Sequence, residues 1–172
     1  MNSPPYLMAQ GSNPAPLPLR SRASLPRLRL ADPADRAMID FLREPPLTVA
    51  EDYSLQAAID RMFQLGVRAF LVVRDLSVVG LMTSSDAARS TLRHSRVADA
   101  MTPTDDVPAI GWDTLADSRV RDLVEIFDGT GVNYLVVLQS HGASLSSVRG
   151  LIQRKRLQRQ LSSPWSLRAA GI

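Results

Sequence analysis

Leu55, Ala58, Ile59 and Met62 fall at positions i, i+3, i+4 and i+7. Val120, Leu123, Val124 and Phe127 repeat that spacing later in the chain, so each stretch predicts an amphipathic helix. Gly66 and Gly131 follow the two stretches where a left-handed helix exit favours a residue without Cβ. The apolar runs 69–73 and 134–138 are short and rich in β-branched and aromatic residues, which predicts buried strands. Further strands are expected over 78–82 and 148–152, each followed by a helix, from about Ser84 and from about Arg154. Residues 74–77 are few enough for a hairpin turn, whereas residues 139–144 read as a longer polar loop.

The chain therefore states one unit twice: strand, helix, two paired strands, helix. A copy of that size buries too little of its own hydrophobic face, so the duplication predicts two copies leaning on each other, with function expected between them. Before the first copy, Asp32 and Pro33 read as the N-cap and first position of a short helix whose apolar side is Met38, Phe41 and Leu42. Pro45-Pro46 ends it. Residues 1–31 contain six Pro and no sustained period, which reads as a disordered tail. The expected organisation is that tail, an N-terminal helix over 32–44, a first repeat over 45–98, a second over 99–162, and a C-terminal tail over 163–172.

Composition narrows the class. The chain has 172 residues, 45% of them hydrophobic, and no cysteine, which fits a reducing compartment and one body of modest size. Nothing approaches the roughly 20 apolar residues of a membrane helix, and no secretory core is visible, so a cytoplasmic protein is expected. Of the net charge of +3, residues 1–31 supply four Arg and residues 149–172 supply five Arg and Lys155, which leaves −7 for residues 32–148. An acidic body with basic ends is a poor nucleic-acid binder, because phosphate affinity needs a continuous basic face.

Chemistry concentrates in Gly80-Leu81-Met82-Thr83-Ser84-Ser85-Asp86. Gly80 allows close approach to the backbone. Thr83, Ser84 and Ser85 bring hydroxyls to the start of a helix, a setting that suits phosphate, and Asp86 could accept hydrogen bonds from a ribose diol. Thr-x-x-Asp is also a capping box, in which Thr83 caps the helix and Asp86 reaches back to the Thr83 amide. Both readings stay open on local chemistry. His94 and His141 are the only histidines and are far apart in sequence, so no metal site is expected. No nucleophile–base pair or phosphate-binding Gly-rich loop is present, so the chain does not read as an enzyme. Trp112 and Tyr134 fit inner packing of the second repeat better than a base-stacking platform.

In order and spacing, residues 55–73, residues 80–86, the connector Val97-Ala98-Asp99-Ala100-Met101-Thr102-Pro103 and the weaker copy over 120–157 resemble a tandem CBS-domain pair, the Bateman module. The resemblance implies an α/β (α+β) fold of two β-α-β-β-α repeats about a pseudo-twofold axis. It implies a regulatory module that binds an adenine nucleotide (AMP, ADP, ATP or S-adenosylmethionine) between the repeats, needs no further cofactor, pairs as a homodimer and signals to an effector protein. By the same resemblance Asp86 would hold the ribose and Thr83 the ribose or α-phosphate, while Thr48, Val49, Arg68, Ala69 and Phe70 would frame the adenine. The second copy departs from this pattern, with Gln153 in place of Thr and Arg156 in place of Asp. The cluster Arg154-Lys155-Arg156 either lends charge to the nucleotide's phosphates or forms a solvated helix face, and the solvated face is the expectation. A ligand-free interaction module is the alternative function.

Overall fold

Two sheets of four strands form among the described residues, each with its own hydrophobic core. The computed structural model describes residues 25–75, 77–89, 95–141 and 146–161. Residues 1–24, His94, residues 142–145 and the expected tail over 163–172 lie outside the described residues. By their contacts the described residues divide into one unit within 45–107 and another built from 25–44 and 108–161.

In the first unit, β2 (Thr48–Ala50), α1 (Leu55–Leu65), β3 (Ala69–Arg74), β4 (Ser77–Thr83), α2 (Ser84–Arg89) and β5 (Thr102–Pro103) follow one another. The sheet order is β2-β3-β4-β5, with β2 parallel to β3 and the other pairs antiparallel. Helix α1 forms where its apolar spacing predicts. Ser54 caps it by accepting from the Ala57 amide at 3.4 Å, and Gly66 ends it with φ 64°, where a Cβ would be strained. Leu55, Ala58 and Met62 turn inward onto Val49, Phe70, Val72 and Met82. The β3–β4 hairpin turns through Asp75 at φ 45°.

The second unit repeats the plan with β6 (Ala109–Gly111), α3 (Trp112–Asp117), α4 (Val120–Thr130), β7 (Tyr134–Ser140), β8 (Ser146–Gln153) and α5 (Arg154–Gln160). Its sheet order is β1-β8-β7-β6, where β1 is Ile39–Asp40, from the N-terminal side of the first unit. Gly131 ends α4 at φ 71°, matching Gly66, and the irregularity in register between Val137 and Leu138 matches that between Val72 and Val73. Strand β7 runs to Ser140, so Gln139 and Ser140 belong to the ladder rather than to a loop. Trp112 packs on this core, with the Arg149 guanidinium 4.1 Å from its ring centroid.

The N-terminal segment departs from expectation. Only Ala34–Ala37 is helical, as a 3-10 turn preceded by Pro33, and Met38 is already extended. The Asp32 carboxylate accepts instead from the Arg29 amide at 2.8 Å. Strand β1 then pairs antiparallel with β8, Ile39 opposite Leu151 and Asp40 opposite Gly150. Residues 25–31, expected to be disordered, are tied in as well: Leu28 is fully buried, its amide donates to the Gln160 carbonyl at 2.7 Å, and it bridges Leu161. The reason lies in the chain's own repetition. Ala37-Met38-Ile39 is an earlier copy of Ala100-Met101-Thr102, and each copy supplies a 3-10 turn followed by an edge strand.

Candidate functional site

Register brings the sequence-singled residues of the first repeat to one end of one sheet. Ala69 pairs with Thr83 and Phe70 with Met82 across β3 and β4. The Ser84 amide then donates to the Arg68 carbonyl at 2.9 Å, which fixes where α2 starts relative to the end of α1. Thr48 and Val49 lie one strand away in β2, opposite Leu71 and Val72.

Asp86 is buried, with 6% of its surface exposed, and it faces back along its own helix. Its Oδ2 accepts from the Thr83 amide at 2.9 Å and from Thr83 Oγ1 at 2.7 Å, while Thr83 Oγ1 accepts from the Asp86 amide at 3.2 Å. This is a closed capping box. Its Oδ1 meets Arg89 Nη2, an arginine whose side chain is 76% exposed. One carboxylate oxygen is thus committed to buried donors and the other to a solvated cation. The Thr83 hydroxyl already spends its proton on Asp86, so Thr83 can offer a ligand only a lone pair in this arrangement. Ser84 is half-buried and Ser85 exposed.

Two residues expected to frame a base do not offer side chains for it. Val49 and Phe70 are 5% and 1% exposed and belong to the hydrophobic core of this unit, so only their main chain can contribute. Thr48 and Ala69 are half-buried and Arg68 is exposed. Gly80 has a role different from ligand approach. A Cβ there would lie 2.7 Å from the Thr102 carbonyl oxygen and 2.8 Å from Met101 Sδ, so the element that comes close is β5 of the same sheet.

At the matching positions of the second unit, Gln153 stands for Thr83, Arg154 for Ser84 and Arg156 for Asp86. The Arg154 amide donates to the Asn133 carbonyl at 2.9 Å, as Ser84 does to Arg68. Its guanidinium turns onto α4, donating to the Phe127 carbonyl at 3.1 Å and to Asp128 Oδ1 at 2.8 Å. The expectation of a solvated face holds only in part: Lys155 is exposed, but Arg154 and Arg156 are half-buried. Positions two apart do not share a helix face, so each is part-covered by its own neighbours, Arg154 by α4, which counting charges in sequence does not reveal.

Beside α1 and α2 lies a cavity of about 370 Å³ that sequence reading did not anticipate, lined by Ile59, Met62, Phe63, Gly66, Ser84 and Ala87 among others. Among the described residues, no group of His, Cys, Asp and Glu could hold a metal ion, and no helix is long and apolar enough to cross a membrane.

Residues 38–92 match the family model of the CBS domain. Among solved structures, the chain is similar to an uncharacterized conserved protein from Pyrococcus horikoshii, with 17% identity and a TM-score of 0.58 over 76% of this chain and 92% of that one. It is similar to CBSX2 in complex with AMP, with 17% identity and a TM-score of 0.55 over 81% and 99% of the two chains. It is also similar to a CBS-domain-containing protein from Agrobacterium tumefaciens, with 19% identity and a TM-score of 0.56 over 76% and 94%. No curated protein matches the chain in sequence.

Proposed function

We propose that this CBS-domain protein is a regulatory module whose first repeat binds an adenine nucleotide. The observation that carries the reading is the divided carboxylate of Asp86. Oδ2 is held by Thr83, which fixes the position of the group, while Oδ1 is engaged only by the exposed Arg89 among the bonds described. Two ribose hydroxyls can replace a solvated guanidinium at little cost, since exposed ion pairs contribute about 0–1 kcal/mol. Hydrogen bonds to a charged acceptor contribute about 1.5–3 kcal/mol each. Released from Asp86, Arg89 is free to meet a phosphate. Main-chain groups of residues 48–49 and 68–70 would read the adenine edge, since the Val49 and Phe70 side chains are withdrawn into the core.

The AMP complex among the structural neighbours supports adenosine as the ligand class. The second repeat has Arg156 where a ribose acceptor would stand and an internal pair at Arg154, which argues for one site per chain. The protein acts as a homodimer, and occupancy reaches an effector through the shape difference the nucleotide stabilises, because a ligand shifts an equilibrium only by its differential affinity for the two forms.

A second reading has its own observation: the closed box between Thr83 and Asp86 already satisfies the carboxylate without a ligand, as a pure interaction module would require. Calorimetric titration of the full chain with AMP, ATP and S-adenosylmethionine separates the two. Saturable heat with one of them is expected; none with any at millimolar concentration would leave the interaction module standing.

A further inference from the structure

We infer that the cationic seam where the N-terminal segment meets α5 of the second unit is the docking surface for a short acidic segment of the effector protein, one with an apolar side chain among its carboxylates. The inference gives a surface and a chemistry to the effector in the reading above, and it does not depend on the nucleotide site.

The two basic stretches lie far apart in sequence, and the fold joins them. The Leu28 amide donates to the Gln160 carbonyl at 2.7 Å, and Leu28 bridges Leu161 in parallel. Leu28 and Gln160 are 0% and 1% exposed. At such a bridge successive side chains point to opposite faces, so a buried Leu28 turns Arg27 and Arg29 outward, and both are exposed. On α5 the buried positions are Leu157 and Gln160, which leaves Lys155 and Arg159, one turn apart, exposed on the outer side.

Four cations thus share one seam. Residues 25–31 and 154–161 contain no Asp or Glu. The next acid along the chain, Asp32, is engaged by the Arg29 amide at 2.8 Å and by Arg36 at 3.8 Å, and none of the four cations forms an ion pair among the described residues. At the positions matching Lys155 and Arg159 the first unit has Ser85 and Arg89, and Arg89 is paired with Asp86. The uncompensated charge therefore belongs to the second unit. The backbone that carries it is held in place, because Gln160 Nε2 donates to the Pro26 carbonyl at 3.5 Å on one side of Arg27 and Leu28 is anchored on the other. A surface ordered in advance loses less freedom on binding.

Two observations select the partner. Leu30, 45% exposed, adjoins Arg29 and offers an apolar contact that a peptide side chain can use and a phosphate backbone cannot. Residues 32–148 carry a net −7, which repels a flat anionic membrane or a long polyanion. A short acidic segment meets only the seam, since exposed charges beyond a Debye length of about 8 Å are largely screened.

Fluorescence anisotropy of the full chain with a labelled nonapeptide of eight Glu around one central Leu tests this. Saturable binding that weakens as salt rises is expected. Arg27→Ala with Arg159→Ala should raise the dissociation constant about fivefold or more, through loss of two charges from the contact. Arg27→Lys with Arg159→Lys should retain most of the affinity, and Arg43→Ala with Arg61→Ala, an equal loss of charge outside the seam, should leave it unchanged. Arg27 and Arg159 are exposed, so the melting temperature should stay near wild type. Absence of binding at low salt, or the same loss in both double-Ala variants, overturns the inference. Tighter binding of an oligothymidylate of equal charge, or flotation with phosphatidylglycerol vesicles that Arg27→Ala with Arg159→Ala abolishes, overturns the acidic peptide as the partner. Heats with AMP or ATP are read separately, so failure of the nucleotide site and failure of the seam are told apart.

Discussion

Met38 lies over Gly150 so closely that a Cβ on the glycine would stand 2.5 Å from the methionine Sδ. Met101 lies over Gly80 in the same way in the first unit, at 2.8 Å. In both units a glycine in the strand beside the edge admits the edge strand that an Ala-Met pair introduces, and in the second unit that strand comes from a segment more than a hundred residues upstream.

Gly150→Ala is therefore expected to destabilise the chain by about 1–3 kcal/mol, the usual range for overpacking, in urea denaturation. Shortening the neighbour as well, in Gly150→Ala with Met38→Ala, should restore only part of the loss, because the Ile39 carbonyl oxygen would still lie 2.6 Å from the new Cβ. Full rescue would place the constraint in the methionine alone.

Asp86→Ala separates capping from binding. Loss of the box should lower stability by about 1 kcal/mol. Nucleotide affinity should fall by about 1.5–3 kcal/mol if the carboxylate meets ribose. Arg89→Ala should leave stability within about 0.5 kcal/mol, as expected for an exposed pair. A lower melting temperature in Asp86→Ala with unaltered calorimetric affinity would assign the residue to the cap only.

Leu28 tests whether the segment before β1 is part of the second unit. It is fully buried in that core, so Leu28→Ala should cost about 2–5 kcal/mol by thermal or chemical unfolding. A cost near zero would return residues 25–31 to the status of a tail.

Glu51, just past the end of β2, and Arg74, at the end of β3, form a two-point pair, with Arg74 Nη2 2.6 Å from Glu51 Oε2. The hydrogen bond from Arg74 holds the Glu51 carboxyl below its ordinary 4.5. A carboxylate with a lowered folded-state pKa contributes stability above its unfolded value and loses it as pH falls through the folded one. The melting temperature of the wild type should therefore exceed that of Glu51→Gln near neutrality, and the gap should close as pH drops below 4.5. A gap that is constant with pH would show that charge plays no part.

Much of each unit was legible from local order. The spacings at Leu55–Met62 and Val120–Phe127 are properties of a few turns of chain, and so are the glycine exits at Gly66 and Gly131. Helices and their stops follow from them without knowledge of the rest. The second ribose position could be doubted from Arg156 for the same reason: the identity of a side chain at a repeat position needs no coordinates. The misread stretch, 32–44, had a local pattern compatible with a helix, and its correct reading was available only by aligning Ala37-Met38 with Ala100-Met101.

The sequence by itself determined a duplicated α+β chain, the family it resembles, and a Thr-x-x-Asp that is both a cap and a candidate ribose acceptor. Tertiary structure decided which donors hold each oxygen of Asp86, that Phe70 and Val49 turn into a core, that Arg154 folds back onto Asp128, and that Gly80 and Gly150 are cleared for edge strands. The physical reason is distance along the chain. Periodicity and caps act within a few residues, whereas burial, edge pairing and the direction of a guanidinium depend on groups brought together from far apart, whose contacts no local pattern encodes.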